Sequence, residues 1–175
     1  MKIRPSSLAV LPALALAQTA HAEPSNTASV SGTAQAQVVD PTLIALVDDL
    51  RFGAMLKPGT GGTLTIGTNG SVNTTGGVNG NIAIPQPADG RGPAAFNVEG
   101  DGSLLFIVQV PTFVNITNGS SSMRVDQFRT NTFFGIGLFN AQGEYDLNVG
   151  GRLNVNADQE SGTYTGTFDV TVLYL

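Results

Sequence analysis

Gly162-Thr163-Tyr164-Thr165-Gly166-Thr167-Phe168-Asp169-Val170-Thr171-Val172-Leu173-Tyr174-Leu175 is the stretch that decides the fold. Tyr164, Phe168, Val170, Val172 and Tyr174 occupy even positions, while Thr165, Thr167, Asp169 and Thr171 lie between them. Successive side chains of a strand point to opposite faces, so this spacing predicts a β-strand with one apolar face and one wet face. Its β-branched and aromatic residues are those that a pleated, half-buried surface accepts best.

The preceding sequence divides into short apolar runs separated by turn residues. Thr63-Leu64-Thr65-Ile66-Gly67 predicts a strand, and Asn69-Gly70 predicts a tight hairpin with positive φ at both central positions. Ala95, Phe96 and Val98 lead to Gly100-Asp101-Gly102, which reads as a hairpin tip. Residues 104–110 are apolar but for Gln109, the pattern of a central strand buried on both faces, and Pro111 ends it. Val114-Asn115-Ile116, the Asn118-Gly119 turn, then Met123, Val125 and Phe128 continue the series. Residues 133–139 are apolar with glycines at 135 and 137. Tyr145, Leu147 and Val149 alternate, and Gly150-Gly151 is expected to turn the chain towards Leu153 and Val155. Many short strands with regular turn signals predict an all-β sandwich or barrel.

Nearer the start, Ala28, Val30, Gly32, Ala34, Ala36 and Val38 alternate with Ser29, Ser31, Thr33, Gln35 and Gln37. This predicts a weakly apolar strand of small side chains, ~35 Å long at ~3.3 Å per residue. Residues 40–53 carry two signals. Asp40-Pro41 with Leu43, Leu46, Val47 and Leu50 at i, i+3, i+4, i+7 reads as a short helix with an N-cap.

Residues 1–22 read as a secretory signal: Lys2 and Arg4, an apolar stretch at 8–17, and an Ala20-His21-Ala22 cleavage site. That stretch is shorter than the ~20 residues needed to span a membrane. The expected organisation is signal peptide 1–22, N-terminal extension 23–39 and β-sandwich 40–175. With Lys2 and Arg4 removed, six of the eight basic residues face thirteen acids, a net charge of −7. An acidic chain without a basic cluster does not suit nucleic acid, whose binding rests on phosphate neutralisation. The chain has no Cys and no Trp, and its one His, His21, leaves with the signal. Cys–His and Ser–His–Asp catalysis, His- or Cys-ligated zinc, disulfides and a lipid anchor on Cys are thereby excluded.

Carboxylate pairs are the remaining catalytic option: Asp48-Asp49, Glu99 with Asp101, and Glu144 with Asp146. The latter two pairs adjoin glycine turns, where acids are simply solvated, and no enzymatic activity and no cofactor are expected. Asp89-Gly90-Arg91 and Gly100-Asp101-Gly102 could offer oxygen to calcium but read better as turns. Gly59-Thr60-Gly61-Gly62 lacks the Lys-Ser/Thr of a phosphate loop. Asn69, Asn73, Asn115 and Asn118 begin glycosylation-type triplets that are expected to stay unmodified.

With Gly162 fourteenth from the end and Tyr174 penultimate, the terminal stretch resembles the C-terminal strand of fimbrial, pilin-like subunits assembled by the chaperone–usher route. Leu50-x-Phe52-Gly53, Gly151-x-Leu153-x-Val155 and the terminal alternation are similar, over the whole mature chain, to a family of small secreted bacterial proteins known as a domain of unknown function. The leucine-x-phenylalanine-glycine element also favours a strand over a helix at 40–53.

The resemblance implies an immunoglobulin-like Greek-key β-sandwich, one that a donor strand would complete if its last strand is lacking. It implies a secreted, non-enzymatic structural subunit of a fimbria-like surface filament, passing through the periplasm to the cell surface. Ala28, Val30, Gly32, Ala34, Ala36 and Val38 would then be donated to a like subunit by strand addition. Gly162, Tyr164, Phe168, Val170, Val172 and Tyr174 would line the acceptor groove. The Leu175 carboxylate would contact a periplasmic chaperone, and an outer-membrane usher is also implied. The absence of a disulfide and the small donor side chains depart from many fimbrial subunits. The competing expectation is a self-contained secreted binding module, for a surface or polysaccharide, with residues 28–38 folded back onto their own chain.

Overall fold

The computed structural model describes Thr33, Gln35, Ala36, Val38 and residues 41–79 and 84–175. Among these residues there are ten strands and no helix. They are β1 (Leu43–Asp48), β2 (Gly62–Ile66), β3 (Val72–Gly76), β4 (Ala94–Glu99), β5 (Leu105–Gln109), β6 (Phe113–Thr117), β7 (Ser122–Thr130), β8 (Ile136–Leu138), β9 (Glu144–Val155) and β10 (Thr171–Tyr174). All pairings are antiparallel, in one seven-stranded and one three-stranded sheet that pack as a β-sandwich.

The twelve-residue strand β9 is the spine of the larger sheet. Val149 pairs with both Ala94 and Thr130, and Leu153 with both Leu64 and Val125. Strand β7 therefore runs along one edge of β9, and β4 and β2 follow one another along the other. Beyond them, β1 pairs with β4, β3 with β2 and β6 with β7. In the smaller sheet β5 lies between β10 and β8.

Alternation dictates what meets between the sheets. Val98, Leu147, Val149, Leu153, Leu64, Ile66 and Val125 of the larger sheet are buried, as are Phe106 and Val108 of the smaller one. Each fully buried aliphatic or aromatic side chain contributes ~1.5–3 kcal/mol relative to exposure. Phe106 anchors the middle, its ring centroid 4.4 Å from Phe139 and 5.1 Å from Tyr145. The outer face of the larger sheet is mostly polar. There Arg152 Nε and Nη2 donate to Asp126 Oδ1 and Oδ2 at 2.8 and 3.1 Å, and Arg124 lies 4.0 Å over the Phe113 ring.

Residues 43–48 are a strand, not a helix. Their register with β4 (Leu43 opposite Glu99, Ile44 opposite Val98, Leu46 opposite Phe96) supplies backbone partners that outweigh the i, i+3, i+4 pattern.

Four local expectations are corrected. Gly150-Gly151 is not a turn, because β9 runs straight through it. A side chain at Gly150 would strike the Ile66 carbonyl, so this glycine serves close strand approach. Gly100-Asp101-Gly102 is not a hairpin tip: it carries the chain from β4 in one sheet to β5 in the other. The β2–β3 connection needs positive φ at Gly70 alone, because Gly70 N–H closes a turn on the Gly67 carbonyl at 2.9 Å. Strand β5 is central in its sheet but buried on one face only, Leu105 being 47% exposed on the other.

Candidate strand-docking site

The C-terminal segment starts on one sheet and ends on the other. Thr165 exchanges both backbone hydrogen bonds with Thr117 of β6, at 2.9 and 3.0 Å. Six residues later β10 pairs with β5, Val172 opposite Val108 and Tyr174 opposite Phe106. Among the described residues no strand pairs with residues 166–170 or with the second edge of β10.

Burial follows the alternation. Tyr164, Phe168, Val170, Val172 and Tyr174 face inward and are half-buried, and the odd-numbered residues of 161–175 are exposed. Tyr164 is held by Gln159, a buried amide whose Nε2 donates to Tyr164 Oη at 2.9 Å and Ser121 Oγ at 2.8 Å. The Tyr164 hydroxyl in turn donates to the Glu160 carbonyl at 2.7 Å. Gln159 is the residue that sequence reading missed: a lone glutamine after an Asn-Ala-Asp turn carries no periodic signal. Phe168 sits edge-on to Phe96 of β4 at 6.4 Å and 5.0 Å from Phe128 of β7. At the far end the Asp101 N–H donates to Tyr174 Oη at 2.5 Å, and the Leu175 N–H donates to the Leu105 carbonyl at 3.0 Å.

These ties set the segment beside the strand that carries β1. Residues directly opposite in an antiparallel pair share a face, so Ile44 and Leu46 point inward with Val98 and Phe96. Ile44 is nevertheless 40% exposed and Leu46 59%. Strand β1 is itself an edge, pairing with β4 alone among the described strands. Ile44 and Leu46 thus flank Phe96, against which Phe168 packs, on an inward apolar strip that the described residues leave half covered, and Val170 and Val172 carry the same C-terminal segment on towards β10. Among the described strands the outer edges of β1 and β10 have no partner. Such edges accept an added strand.

The remaining sequence-predicted sites are dispersed. Ala36 and Val38 are exposed, whereas Ala28, Val30, Gly32, Ala34 and the cleavage residues Ala20 and Ala22 lie outside the described residues. Gly162 lies against the Asn118 side chain, and Leu175 is exposed. Asp48 pairs with Arg51 at 3.0 Å. Glu99 stands opposite Glu144 across β4 and β9, both exposed, at a shallow hollow of about 410 Å³ shared with Pro41, Leu43 and Gln142. Asp146 faces Asn97, not Glu99. The Asp89 carbonyl accepts from Arg51 Nε, and the Asp101 carbonyl from Leu104 N–H, as turn residues do. Among the described residues no group of three or more His, Cys, Asp or Glu side chains could hold a metal.

No curated protein and no solved structure matches the sequence. A family model, described as a domain of unknown function (DUF4402), matches residues 43–174, from the first residue of β1 to the last of β10. With the match spanning every strand of the sandwich, the chain belongs to the DUF4402 family.

Proposed function

We propose that this protein is an exported structural subunit that joins its neighbours by strand donation. The half-covered strip along β1 and β10 accepts residues 28–38 of a like subunit, and the fold is an immunoglobulin-like Greek-key sandwich completed by that strand. The observation that carries this reading is the exposure of Ile44 and Leu46, two large apolar side chains that face the interior of the sandwich.

Physical chemistry supports it in two ways. At roughly 25 cal/mol per Å², covering a strip of a few hundred Å² is worth several kcal/mol. The donor pattern is also complementary, since small residues at every second position fit a shallow strip already half filled by Phe168. In this reading a periplasmic chaperone, contacting the exposed Leu175, would shield the strip before assembly at an outer-membrane usher. The signal at 1–22 fits the same route through the periplasm to the cell surface. Catalysis plays no part in this reading.

The test is to remove residues 23–39 and follow thermal unfolding. Strand donation predicts a lower melting temperature, restored by a synthetic peptide of residues 28–38 in a concentration-dependent manner. An unchanged melting temperature together with no peptide binding would overturn it.

A further inference from the structure

The outer face of the smaller sheet differs from the mostly polar outer face of the larger one, where Leu43 and Phe113 are scattered apolar residues. On the larger sheet, the strands that bury Val125, Leu147 and Leu153 inside carry Arg124, Asp126, Asp146 and Arg152 outside. On the smaller sheet the face turned away from the buried Phe106 and Val108 is apolar except for the exposed Thr171–Gln109 pair at one end. Leu173, Ile107 and Ile136 form one row across all three strands, Leu105 and Leu138 form the next, and Leu175 lies beside Leu105.

The row extends into the turn before β8. Phe133 and Ile136 exchange backbone hydrogen bonds at 3.1 and 2.9 Å, so Phe133 shares Ile136's outer face. The two residues between them, Phe134 and Gly135, both have positive φ, 51° and 83°. A bulky aromatic is an unfavourable choice there, where Asn or Gly is the usual occupant. Its effect is to hold Phe133 and Phe134 out in solvent, 77% and 90% exposed, with ring centroids 4.6 Å apart.

We infer that this face is a self-association surface on which a second copy of the chain packs, sheet against sheet, about a two-fold axis. Three observations point to a second copy. The apolar area exposed is on the order of 700 Å², close to the ~800 Å² that each partner contributes to a standard interface and above what an ordinary monomer leaves bare. The face is a three-stranded sheet whose two central rows are Leu and Ile, the kind of surface that interdigitates with its own copy across ~10 Å. It carries no Lys or Arg among its side chains, and the mature chain is acidic, so an anionic lipid surface is a poor occupant. This face is the outer side of the smaller sheet, so the inference stands or falls independently of strand donation.

Disulfide trapping tests it, because the chain has no cysteine of its own. Ile107 lies at the centre of the face and meets its own copy across the axis. In the full chain Ile107→Cys should give a covalent dimer under mild oxidation at least ten-fold faster than Asp146→Cys, which is exposed on the other sheet. Strand donation brings no two Ile107 residues together, so its failure would not suppress this dimer. The Leu105→Lys/Leu138→Lys variant, checked for native near-ultraviolet dichroism, should self-associate at least ten-fold more weakly in sedimentation equilibrium. Equal trapping rates at 107 and 146 would overturn the inference. So would flotation of the full chain with neutral lipid vesicles that is lost in Phe133→Ser, which would make lipid the occupant.

Discussion

Leu46 stands directly opposite Phe96 in the β1–β4 ladder, faces the interior of the sandwich, and yet leaves more than half of its surface in water. A buried strand does not leave such a side chain bare, and an ordinary solvent-facing strand has no reason to point it inward. In the strand-donation reading Leu46 has two energetic roles, one in the isolated chain and one in the assembled state. Leu46→Ser should cost less than ~0.5 kcal/mol in urea unfolding of the chain lacking residues 23–39, because little is lost at an exposed position. The same change should weaken binding of the 28–38 peptide about ten-fold, or ~1.4 kcal/mol, by isothermal titration. A large stability loss with unaltered peptide affinity would show Leu46 to be an ordinary core residue.

Phe168 bridges Phe96 and Phe128 and so ties the C-terminal segment to two strands of the larger sheet. Because it is only half-buried, Phe168→Ala should lower stability by about 2 kcal/mol, less than the ~3–5 typical of a fully buried phenylalanine. Urea unfolding of the isolated domain checks this. With the donor peptide bound the cost should rise, since the ring is then covered on both sides.

The two glycines in the middle of β9 should respond differently. A methyl group at Gly150 would meet the Ile66 carbonyl, which belongs to the backbone and cannot move without breaking the β2–β9 ladder. At Gly151 the nearest atoms are side-chain carbons of Leu50, Val125 and Phe128 at 3.2–3.5 Å, which can give way. Gly150→Ala should therefore cost about 2–3 kcal/mol and Gly151→Ala under ~1, read from denaturation midpoints.

Hydrogen bonds from the Arg152 guanidinium hold the Asp126 carboxyl below its ordinary value, opposing the effect of its burial. A carboxyl depressed in the folded state contributes stability that is fully present above its unfolded pKa of ~3.9 and is lost as the pH falls through the folded value. Unfolding free energy should therefore drop below about pH 4, and Asp126→Asn should flatten that limb while leaving the profile near neutrality level. Identical acid limbs in the two proteins would remove Asp126 as the cause.

How far the sequence disclosed this structure depends on whether the information was local. The faces of residues 164–174 were legible because a two-residue period has one strand solution. The nature of 43–48 was not legible from periodicity, since Leu43, Leu46, Val47 and Leu50 fit a helix and β4 provides the competing partner from some fifty residues away. Gly150-Gly151 looked like a turn because glycine marks both turns and close strand approach, and the neighbour that decides between them, Ile66, is distant in sequence. The apolar run at 104–110 was read as buried on both sides; the chain itself covers one, and the other is the surface assigned above to a second copy. The strip formed by Ile44 and Leu46, Phe96 and Phe168 needed three separate segments to be brought together, so only its C-terminal part was visible beforehand.

Disulfide trapping across two distinguishable copies reads out whether the strand filling this strip comes from another chain. One copy carries a single cysteine at Val30, Ala34 or Val38, and the other a single cysteine at Val170. Strand donation predicts a covalent pair between the two differently tagged copies for at least one donor position. If the two tagged copies never join, while a single chain carrying both cysteines closes an internal disulfide, the strand belongs to its own domain and the protein is a self-contained module.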